Sequence, residues 1–350
     1  MEVLEYFYNT NFSKFDFVER DIDITTSKAI VCGAKGSGKT TILFDYLSRF
    51  KNDSYIYIDF KDTKLTNFAF FENINKFLLS NNIKTIVLDN FDISLPIPNI
   101  KNIIIIVEER LKKPKFKTIF LQALKFKEFL LFDKHQSITT SFDFFLKYGN
   151  LPQTIKTPLL YRKNQLKLHL ESLCENKTQF IILKEILKVG GTIVSKNQIY
   201  HRTKKQIKIS KDKFFNFMKK LESQNIIYFI SKYGYDGSLK KMFIHNFVYI
   251  SSLNITNKFK HQFENMVYLE LCAQCTIFYI NKIDFYIPSL KTIYLCMPFF
   301  STYDIKQEVF EFIETEDIKK IIIITINKKE SFSLNKIKCE VIPFYSWAAL

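Results

Sequence analysis

The chain has 350 residues and a formal net charge of +16, with 51 Lys and Arg against 35 Asp and Glu. This length is too great for one simple core and predicts two or three domains. Six scattered cysteines fit reduced thiols better than a disulfide framework, and no apolar run approaches the length that crosses a bilayer. The amino terminus lacks the basic start and apolar stretch of a signal peptide, so we expect a cytoplasmic protein with no membrane partner.

The most informative segment is Gly33–Thr40, which matches G-x-x-x-x-G-K-[ST] at every fixed position. The apolar run 29–32 before it predicts a strand, and residues 41–47 after it have helical spacing. Such a loop places backbone N–H groups and a helix amino terminus around a phosphate chain. We therefore predict that this loop binds ATP with Mg²⁺. The predicted nucleotide-binding residues are Gly33, Ala34, Lys35, Gly36, Ser37, Gly38, Lys39, Thr40 and Thr41.

Within this loop, two side chains have separate predicted roles. Lys39 is expected to reach the β- and γ-phosphates and to stabilise charge in the transition state, and the Thr40 hydroxyl is expected to ligate Mg²⁺.

After the loop, strands alternate with a helix, which predicts a parallel sheet covered on both faces. The predicted strands are 54–60, 85–89 and 103–107, and the predicted helix is 69–79. The second of these strands ends in Asp89, whose carboxylate can hold the water shell of Mg²⁺.

The residue after this strand decides how well hydrolysis is supported. Asn90 can orient an attacking water molecule but cannot accept its proton. Asp92, Glu108 and Glu109 are alternative acids, and the spacing selects none of them. The sequence therefore supports ATP binding better than rapid hydrolysis.

The positive charge is concentrated between residues 162 and 241, where 18 Lys and Arg face 6 Asp and Glu. Concentrated charge of this kind indicates a polyanion partner. The same region has the pattern of a winged helix-turn-helix, with helices followed by a hairpin. The predicted helices are 177–188, 195–201 and 211–224, and the predicted strands are 226–231 and 241–246.

On the third predicted helix, apolar residues can face the core and leave a row of lysines in solvent. These lysines are Lys211, Lys213, Lys219 and Lys220. They could meet the phosphates of double-stranded DNA, in a mostly electrostatic and salt-sensitive contact. The alternatives are a simply solvated face or a contact with a partner protein.

Several segments resemble, in order, those of archaeal-type AAA+ ATPases whose C-terminal domain is similar to a restriction endonuclease. Residues 121–130 resemble the family segment L-x-P-L-S-F-x-E-F, and residues 144–152 resemble Y-L-x-x-G-G-F-P. Residues 263–271 are similar to the helix that opens the C-terminal domain, 283–287 to the strand E-[IV]-D-F, and 341–347 to the closing strand and helix.

The resemblance implies an α/β fold, in which a P-loop AAA+ parallel sheet is followed by three further parts. The implied ranges are 1–112 for the ATPase core, 113–160 for a helical lid, 161–252 for the winged helix-turn-helix and 253–350 for a degenerate endonuclease-like α/β domain. A PD-(D/E)xK nuclease needs acids and a lysine that hold Mg²⁺ and activate water. Glu264 and Asp284 look like remnants of that acidic set, but the following strand, 292–298, offers neither an acid nor a lysine, so nuclease activity is not expected.

These observations predict an ATP-binding AAA+ type protein, a slow Mg²⁺-dependent ATPase that acts as a nucleotide-controlled switch. Its catalytic residues would be Lys39, Asp89 and Asn90, with Mg²⁺ on Thr40 and Asp89. The alternative is a nucleic-acid-binding module that nucleotide regulates. AAA+ proteins often form homo-oligomers in which an arginine completes the neighbouring site. The candidates for that arginine are Arg110, Arg162 and Arg202.

Overall fold

The structure is a computed structural model that describes residues 2–10, 18–65, 67–133, 135, 137–252, 259–272 and 275–350. The chain divides into two compact units. Unit 1 comprises Met1–Ala123 and Ser223–Asn225, and unit 2 comprises Leu124–Glu222 and Ile226–Leu350. Across the described ranges, every helix is too short or too polar to span a lipid bilayer.

Unit 1 contains a parallel sheet whose strands are separated along the chain by helices and loops. Its elements are α1 (Glu2–Asn9), β1 (Lys28–Cys32), α2 (Lys39–Ser48), β2 (Tyr55–Asp59), α3 (Ile74–Ser80), β3 (Thr85–Asp89), β4 (Asn102–Val107) and β5 (Lys117–Phe120). The strand order is β2-β3-β4-β1-β5, with every pairing parallel. Because β4 lies between β3 and β1, the residues that follow these three strands meet at one edge of the sheet.

Apolar side chains cover both faces of this sheet. Ile30 and Ile105 face a cluster that includes residues of α1 and α3, whereas Val31 and Ile104 face a cluster that includes residues of α2. This alternation follows from the two-residue period of a strand. Strands buried on both faces have nearly continuous apolar sequences, as β4 does. The predicted parallel α/β sheet is confirmed.

The fifth strand of the sheet lies within the range that the sequence assigns to a lid. β5 pairs in parallel with β1, so the sheet extends to Phe120, beyond residue 112. The pattern did not indicate this strand because Ile119 alone of its residues is fully buried. From Leu124 onward the predicted lid belongs to unit 2.

In unit 2 the first helices form a core rich in phenylalanine. They are α4 (Phe126–Phe132), α5 (Ile138–Tyr148), α6 (Pro152–Lys156) and α7 (Arg162–Ser172). The rings of Phe126 and Phe142 pack against Phe344 from the last helix, with centroids 5.7 and 5.4 Å away. These helices are therefore joined to the carboxyl-terminal part of the chain.

The basic region folds into three helices and a small antiparallel sheet. Its elements are α8 (Lys177–Leu187), β6 (Ile193–Val194), α9 (Lys196–Lys204), α10 (Lys211–Ser223), β7 (Ile227–Ile230) and β8 (Lys240–Ile244). The strand order is β6-β8-β7. Asn176 and Ser195 cap α8 and α9 by accepting hydrogen bonds from the backbone N–H groups of Gln179 and Gln198.

The remaining residues form a mixed sheet with helices. The elements are α11 (Val248–Ser252), α12 (Phe259–Leu271), β9 (Phe278–Ile280), β10 (Ile283–Ile287), β11 (Thr292–Cys296), α13 (Gln307–Thr315), β12 (Lys320–Thr325), β13 (Glu330–Leu334), β14 (Ile337–Pro343) and α14 (Phe344–Ala348). The order is β13-β14-β12-β11-β10-β9, in which β11, β12 and β14 are parallel and the edge strands antiparallel.

Candidate functional site

The predicted phosphate-binding loop connects β1 to α2 in unit 1. Gly36 and Gly38 have φ angles of 80° and 94°, in the left-handed region that favours glycine. The backbone turns there, and α2 begins at Lys39, immediately after Gly38 at the N-cap. The first-turn amides of α2 therefore lie at the end of the loop, where a helix amino terminus favours an anion.

Gly33 is required by space at the start of the loop. A Cβ atom on this residue would lie 2.1 Å from the carbonyl oxygen of Leu121. The segments after β1 and β5 approach closely because the Leu121 N–H donates a 2.7 Å hydrogen bond to the Cys32 carbonyl. The first glycine thus lets the loop pass the end of β5.

The ammonium of Lys39 lies inside the loop. Nζ donates hydrogen bonds to the carbonyl oxygens of Gly33 (2.8 Å) and Ala34 (3.0 Å). Burial lowers the pKa of Lys39 to about 8, although the charges of Glu108 and Asp89 oppose this change. The loop therefore holds a partly desolvated cation, which can exchange its carbonyl partners for phosphate oxygens.

Thr40 and Asp89 meet at the ends of α2 and β3. The Thr40 hydroxyl donates to Oδ2 of Asp89 at 2.9 Å, and the Tyr57 hydroxyl donates to the same oxygen at 2.8 Å. The Asn90 backbone N–H donates to Oδ1 at 2.8 Å. Burial raises the pKa of Asp89, and these three hydrogen bonds act against burial. A hydroxyl and a carboxylate at this distance are the oxygen donors that Mg²⁺ prefers.

A hydrogen bond to the neighbouring strand β2 fixes the side chain of Asn90. Its backbone is left-handed, with φ of 53°, and its Nδ2 donates a 2.8 Å hydrogen bond to Oδ1 of Asp59, the last residue of β2. Asp92 is exposed and folds back on its own turn, where Oδ1 accepts hydrogen bonds from the backbone N–H and hydroxyl of Ser94. The two residues therefore have different positions, one at the strand ends and one in a surface turn.

Two supporting residues had no signal in the sequence. Arg20 is buried and donates from its guanidinium to the carbonyl oxygens of Ser37 (2.9 Å) and Gln122 (3.0 Å), so it links the loop to the chain after β5. Tyr57 supplies the hydroxyl that contacts Asp89, and burial raises its pKa, so it remains a donor. Both residues contribute through hydrogen bonds to distant groups, and no sequence pattern indicates such contacts.

A groove of about 360 Å³ runs along the carboxyl ends of β3 and β4. It is lined by Asn90 from the first strand end, Glu108 from the second, and Lys61, among others. The Lys61 ammonium contacts Oε1 of Glu108 at 3.2 Å. The groove thus brings charged groups beside Asn90.

The predicted nucleic-acid contacts on α10 do not have equal environments. Lys211, Lys213 and Lys219 are exposed, whereas Lys220 is half-buried and forms an ion pair with Glu175. Sequence reasoning missed further exposed cations on α9 and in the turn after it. They are Arg202, Lys204, Lys205 and Lys208. We call these four residues, with Lys211, Lys213 and Lys219, the basic surface.

Glu264 and Asp284 converge on a lysine. The Lys241 ammonium lies 2.9 Å from Oε2 of Glu264 and 3.3 Å from Oδ1 of Asp284, and all three side chains are largely buried. The Cys296 backbone N–H donates to Oδ2 of Asp284 at 2.7 Å. Burial favours neutral forms of all three groups, but the carboxylates outweigh it for Lys241, whose pKa lies above its ordinary value. Within the described ranges, no cluster of three or more His, Cys, Asp or Glu side chains could hold a metal ion.

The three candidate arginines also differ. Arg162 donates to the carbonyl oxygens of Thr157 (3.0 Å) and Ile155 (2.8 Å), at the end of α6, so its guanidinium is used locally. Arg110 and Arg202 are exposed. Arg110 and Arg202 are therefore better candidates than Arg162 for an arginine that completes the nucleotide site of a neighbouring subunit.

The family model described as an AAA domain matches residues 26–94. This segment runs from just before β1 to just after β3, so it contains the phosphate-binding loop, Thr40 and Asp89. Residues 26–94 therefore form a P-loop segment of the AAA type, and the match supports ATP binding.

Other proteins are similar over more of the chain. An uncharacterized protein of Methanocaldococcus jannaschii is 22% identical over 410 aligned positions, covering 96% of this chain and 92% of that protein. The Walker-type ATPase of Pyrococcus abyssi is 12% identical, with a TM-score of 0.43, and the similarity covers 66% of this chain and 92% of that one. The Aeropyrum pernix ORC1 protein, solved in complex with DNA, is 12% identical, with a TM-score of 0.32, over 65% and 85% of the two chains.

Proposed function

We propose that unit 1 binds ATP with Mg²⁺ and hydrolyses it slowly. The observation that carries this proposal is the position of Lys39, whose ammonium lies within a glycine loop that leads directly into a helix amino terminus. The loop amides and Lys39 would hold the phosphate oxygens, because both present positive potential to them. The AAA-domain match over the same residues supports the proposal.

The metal-binding residues in this proposal are Thr40 and Asp89. Their oxygens are 2.9 Å apart, and both belong to the donor types that suit Mg²⁺. A bound Mg²⁺ supplies charge neutralisation of the phosphates. Asn90 orients water but cannot accept its proton, so the residue next to Asp89 is not a general base, which is the reason to expect slow turnover.

A thermal shift with Mg²⁺ and ATP tests nucleotide binding. Saturation at about 100 times Kd should stabilise the wild type by about 2.7 kcal/mol, and this gain should disappear in Lys39→Ala. Lys51→Ala is a matched control, since Lys51 is exposed and follows α2 outside the loop. An equal shift in wild type and Lys39→Ala would contradict the proposal.

A second candidate function is binding of double-stranded DNA by unit 2. The three helices and small sheet of 177–244 support a winged helix-turn-helix, and the basic surface follows α9 and α10. In the described part of the chain, the seven cations of the basic surface form no ion pair with an acid, so their charge is available to phosphates. Nucleotide in unit 1 would then control this attachment.

Gel-shift titrations with a DNA duplex, at low and moderate salt and with ATP or ADP, test the second candidate. Affinity that falls steeply with salt supports phosphate contacts, and a difference between the nucleotides supports the switch. Absence of binding at about 50 mM salt would remove this function and leave the ATPase proposal standing.

The carboxyl-terminal sheet is, in this proposal, an endonuclease-like domain without nuclease activity. The contact of Lys241 with both Glu264 and Asp284 supports the loss of activity, since an ammonium already lies between the two carboxylates.

A further inference from the structure

ATP hydrolysis is faster when a protein group accepts the proton of the attacking water, and the Asn90 side chain cannot do so. The identity of this proton acceptor is inferred here on the basis of the proposed ATPase function. Besides Asp89, carboxylates at or just after the strand ends at this edge of the sheet include Asp59, Asp92, Glu108 and Glu109.

Two of these carboxylates do not follow the strand between β3 and β1. Asp92 is exposed and accepts two hydrogen bonds from Ser94 in a surface turn. Asp59 is the last residue of β2, which is separated from β1 by β3 and β4. Its Oδ1 accepts hydrogen bonds from Asn90 Nδ2 at 2.8 Å and from the Lys61 backbone N–H at 2.9 Å. Neither arrangement directs a carboxylate toward the phosphate-binding loop.

Glu108 has a different position. It follows β4, the strand between β3 and β1, so it lies between the strand that ends in Asp89 and the strand that leads into the loop. Its side chain is 25% exposed, which allows both contact with the site and exchange of a proton with solvent. The negative charge of Glu108 raises the pKa of Lys39, against the lowering effect of burial.

The groove beside β3 and β4 gives water a route to this carboxylate. Asn90 and Glu108 line the same groove, as do Asp92 and Glu109, with the Asn90 amide after β3 and the Glu108 carboxylate directly after β4. Lys61 contacts Oε1 of Glu108 at 3.2 Å, and Gln224 Nε2 donates a 3.0 Å hydrogen bond to Oε2, so both residues hold the side chain at the groove. Lys61 is thus a positioning residue.

We infer that Glu108 is the proton acceptor for ATP hydrolysis, with Asn90 orienting the water. The water oxygen forms a bond to the γ-phosphorus while the bond from that phosphorus to the bridging oxygen breaks. The electron pair of the broken bond leaves with ADP. The water proton moves to the Glu108 carboxylate, which later releases it to solvent through the groove. An acid on β4 would then replace one that follows β3.

The test compares Glu108→Gln with Glu109→Gln, which removes an exposed carboxylate at the next position. Glu108→Gln should lower turnover at least about 100-fold and keep the thermal shift with Mg²⁺ and ATP. Glu109→Gln should keep both. Glu108→Asp should retain part of the activity, and its pH–rate profile should keep an acidic limb that Glu108→Gln lacks.

The outcomes separate this inference from the proposed function. If Glu108→Gln turns over ATP like the wild type, or if it loses nucleotide binding together with turnover, Glu108 is not the proton acceptor. If the wild type binds ATP but does not hydrolyse it, the inference fails and ATP binding stands. If the wild type shows no thermal shift with Mg²⁺ and ATP, the proposed function itself fails.

Discussion

The Lys241 ammonium lies 2.9 Å from Oε2 of Glu264, which joins β8 of the small basic sheet to the long helix α12. Oδ1 of Asp284, on β10, lies 3.3 Å from the same ammonium. The three charges come from three different elements of unit 2. The contact therefore stabilises the packing of the small sheet against the carboxyl-terminal sheet.

Removal of this lysine should destabilise unit 2 strongly. In Lys241→Met, the buried Asp284 would lose its counter-charge and the buried Glu264 would keep the exposed Lys260, 3.7 Å away. Removal of one partner of a buried ion pair costs about 3–5 kcal/mol. Urea denaturation followed by tryptophan fluorescence would measure it, because Trp347 lies on α14 within unit 2. Lys240→Met is the matched control, since the adjacent side chain on a strand points to the opposite face.

A triple variant distinguishes lost charge balance from lost packing. Lys241→Met with Glu264→Gln and Asp284→Asn removes the unpaired charges, and replacement of a buried ionic cluster is often close to neutral. We expect most of the stability to return. If the single Lys241→Met variant unfolds at the same urea concentration as wild type, the ionic contact has no structural weight.

The phosphate-binding site was predictable because its groups are close in sequence or lie at strand ends. Gly33, Lys39 and Thr40 belong to eight consecutive residues whose strand, turn and helix are locally encoded. Asp89 was identified because a carboxylate that ends a buried strand of a parallel sheet lies at the same edge as the loop. The structure brings Thr40 and Asp89 to 2.9 Å.

Other features depend on contacts between distant residues. Lys241 was counted in a basic region that indicates a solvated or polyanion-binding face, yet it is buried with Glu264 and Asp284. Arg20 precedes β1 and lies outside any helical or strand pattern in the sequence, although its guanidinium donates a hydrogen bond to the Ser37 carbonyl oxygen in the loop. Local sequence patterns do not predict such contacts, because the charge of a side chain does not determine which residue, distant in sequence, it will contact.

Nucleotide binding should be linked to proton uptake by Lys39. Its pKa is about 8 because of burial, so near pH 8.5 a large fraction of the unliganded protein has a neutral Lys39. Phosphate charge favours the ammonium and raises this pKa. Binding should therefore take up about 0.1 proton near pH 7 and about 0.8 near pH 8.5. The affinity should fall as the pH rises above about 8.

Calorimetric titrations in two buffers of different ionisation enthalpy measure this uptake. The observed binding heat should depend on the buffer near pH 8.5 and hardly at all near pH 7. ATP is fully deprotonated at the higher pH, so the effect belongs to the protein. Equal heats in both buffers near pH 8.5 would show that Lys39 is already charged before ATP binds.

Gly33→Ala should damage the loop through space alone. The added Cβ would lie 2.1 Å from the Leu121 carbonyl oxygen, so the loop or the end of β5 must move. Overpacking of this kind costs about 1–3 kcal/mol. We expect a lower melting temperature and loss of the thermal shift with Mg²⁺ and ATP. Gly234→Ala is the control, because its φ of 68° is strained but its Cβ would have open space. Its thermal shift with ATP should equal that of the wild type.

Charge reversal on the basic surface should weaken DNA binding and its dependence on salt together. Lys211, Lys213 and Lys219 are exposed on α10. If each contacts one phosphate, changing all three to Glu should reduce the slope of log K against log salt by about 2.7, since each contact contributes about 0.9. Gel-shift titrations at several salt concentrations give this slope.

Two single variants make this prediction specific. Lys163→Glu reverses an exposed charge on α7, away from the basic surface in sequence, and should change the slope little. Lys220 also lies on α10 but forms an ion pair with Glu175. Lys220→Glu should therefore reduce the slope less than reversal of an exposed lysine on the same helix. If Lys163→Glu weakens binding as much as Lys211→Glu, the attraction comes from net charge, and α10 does not form a distinct DNA-binding surface.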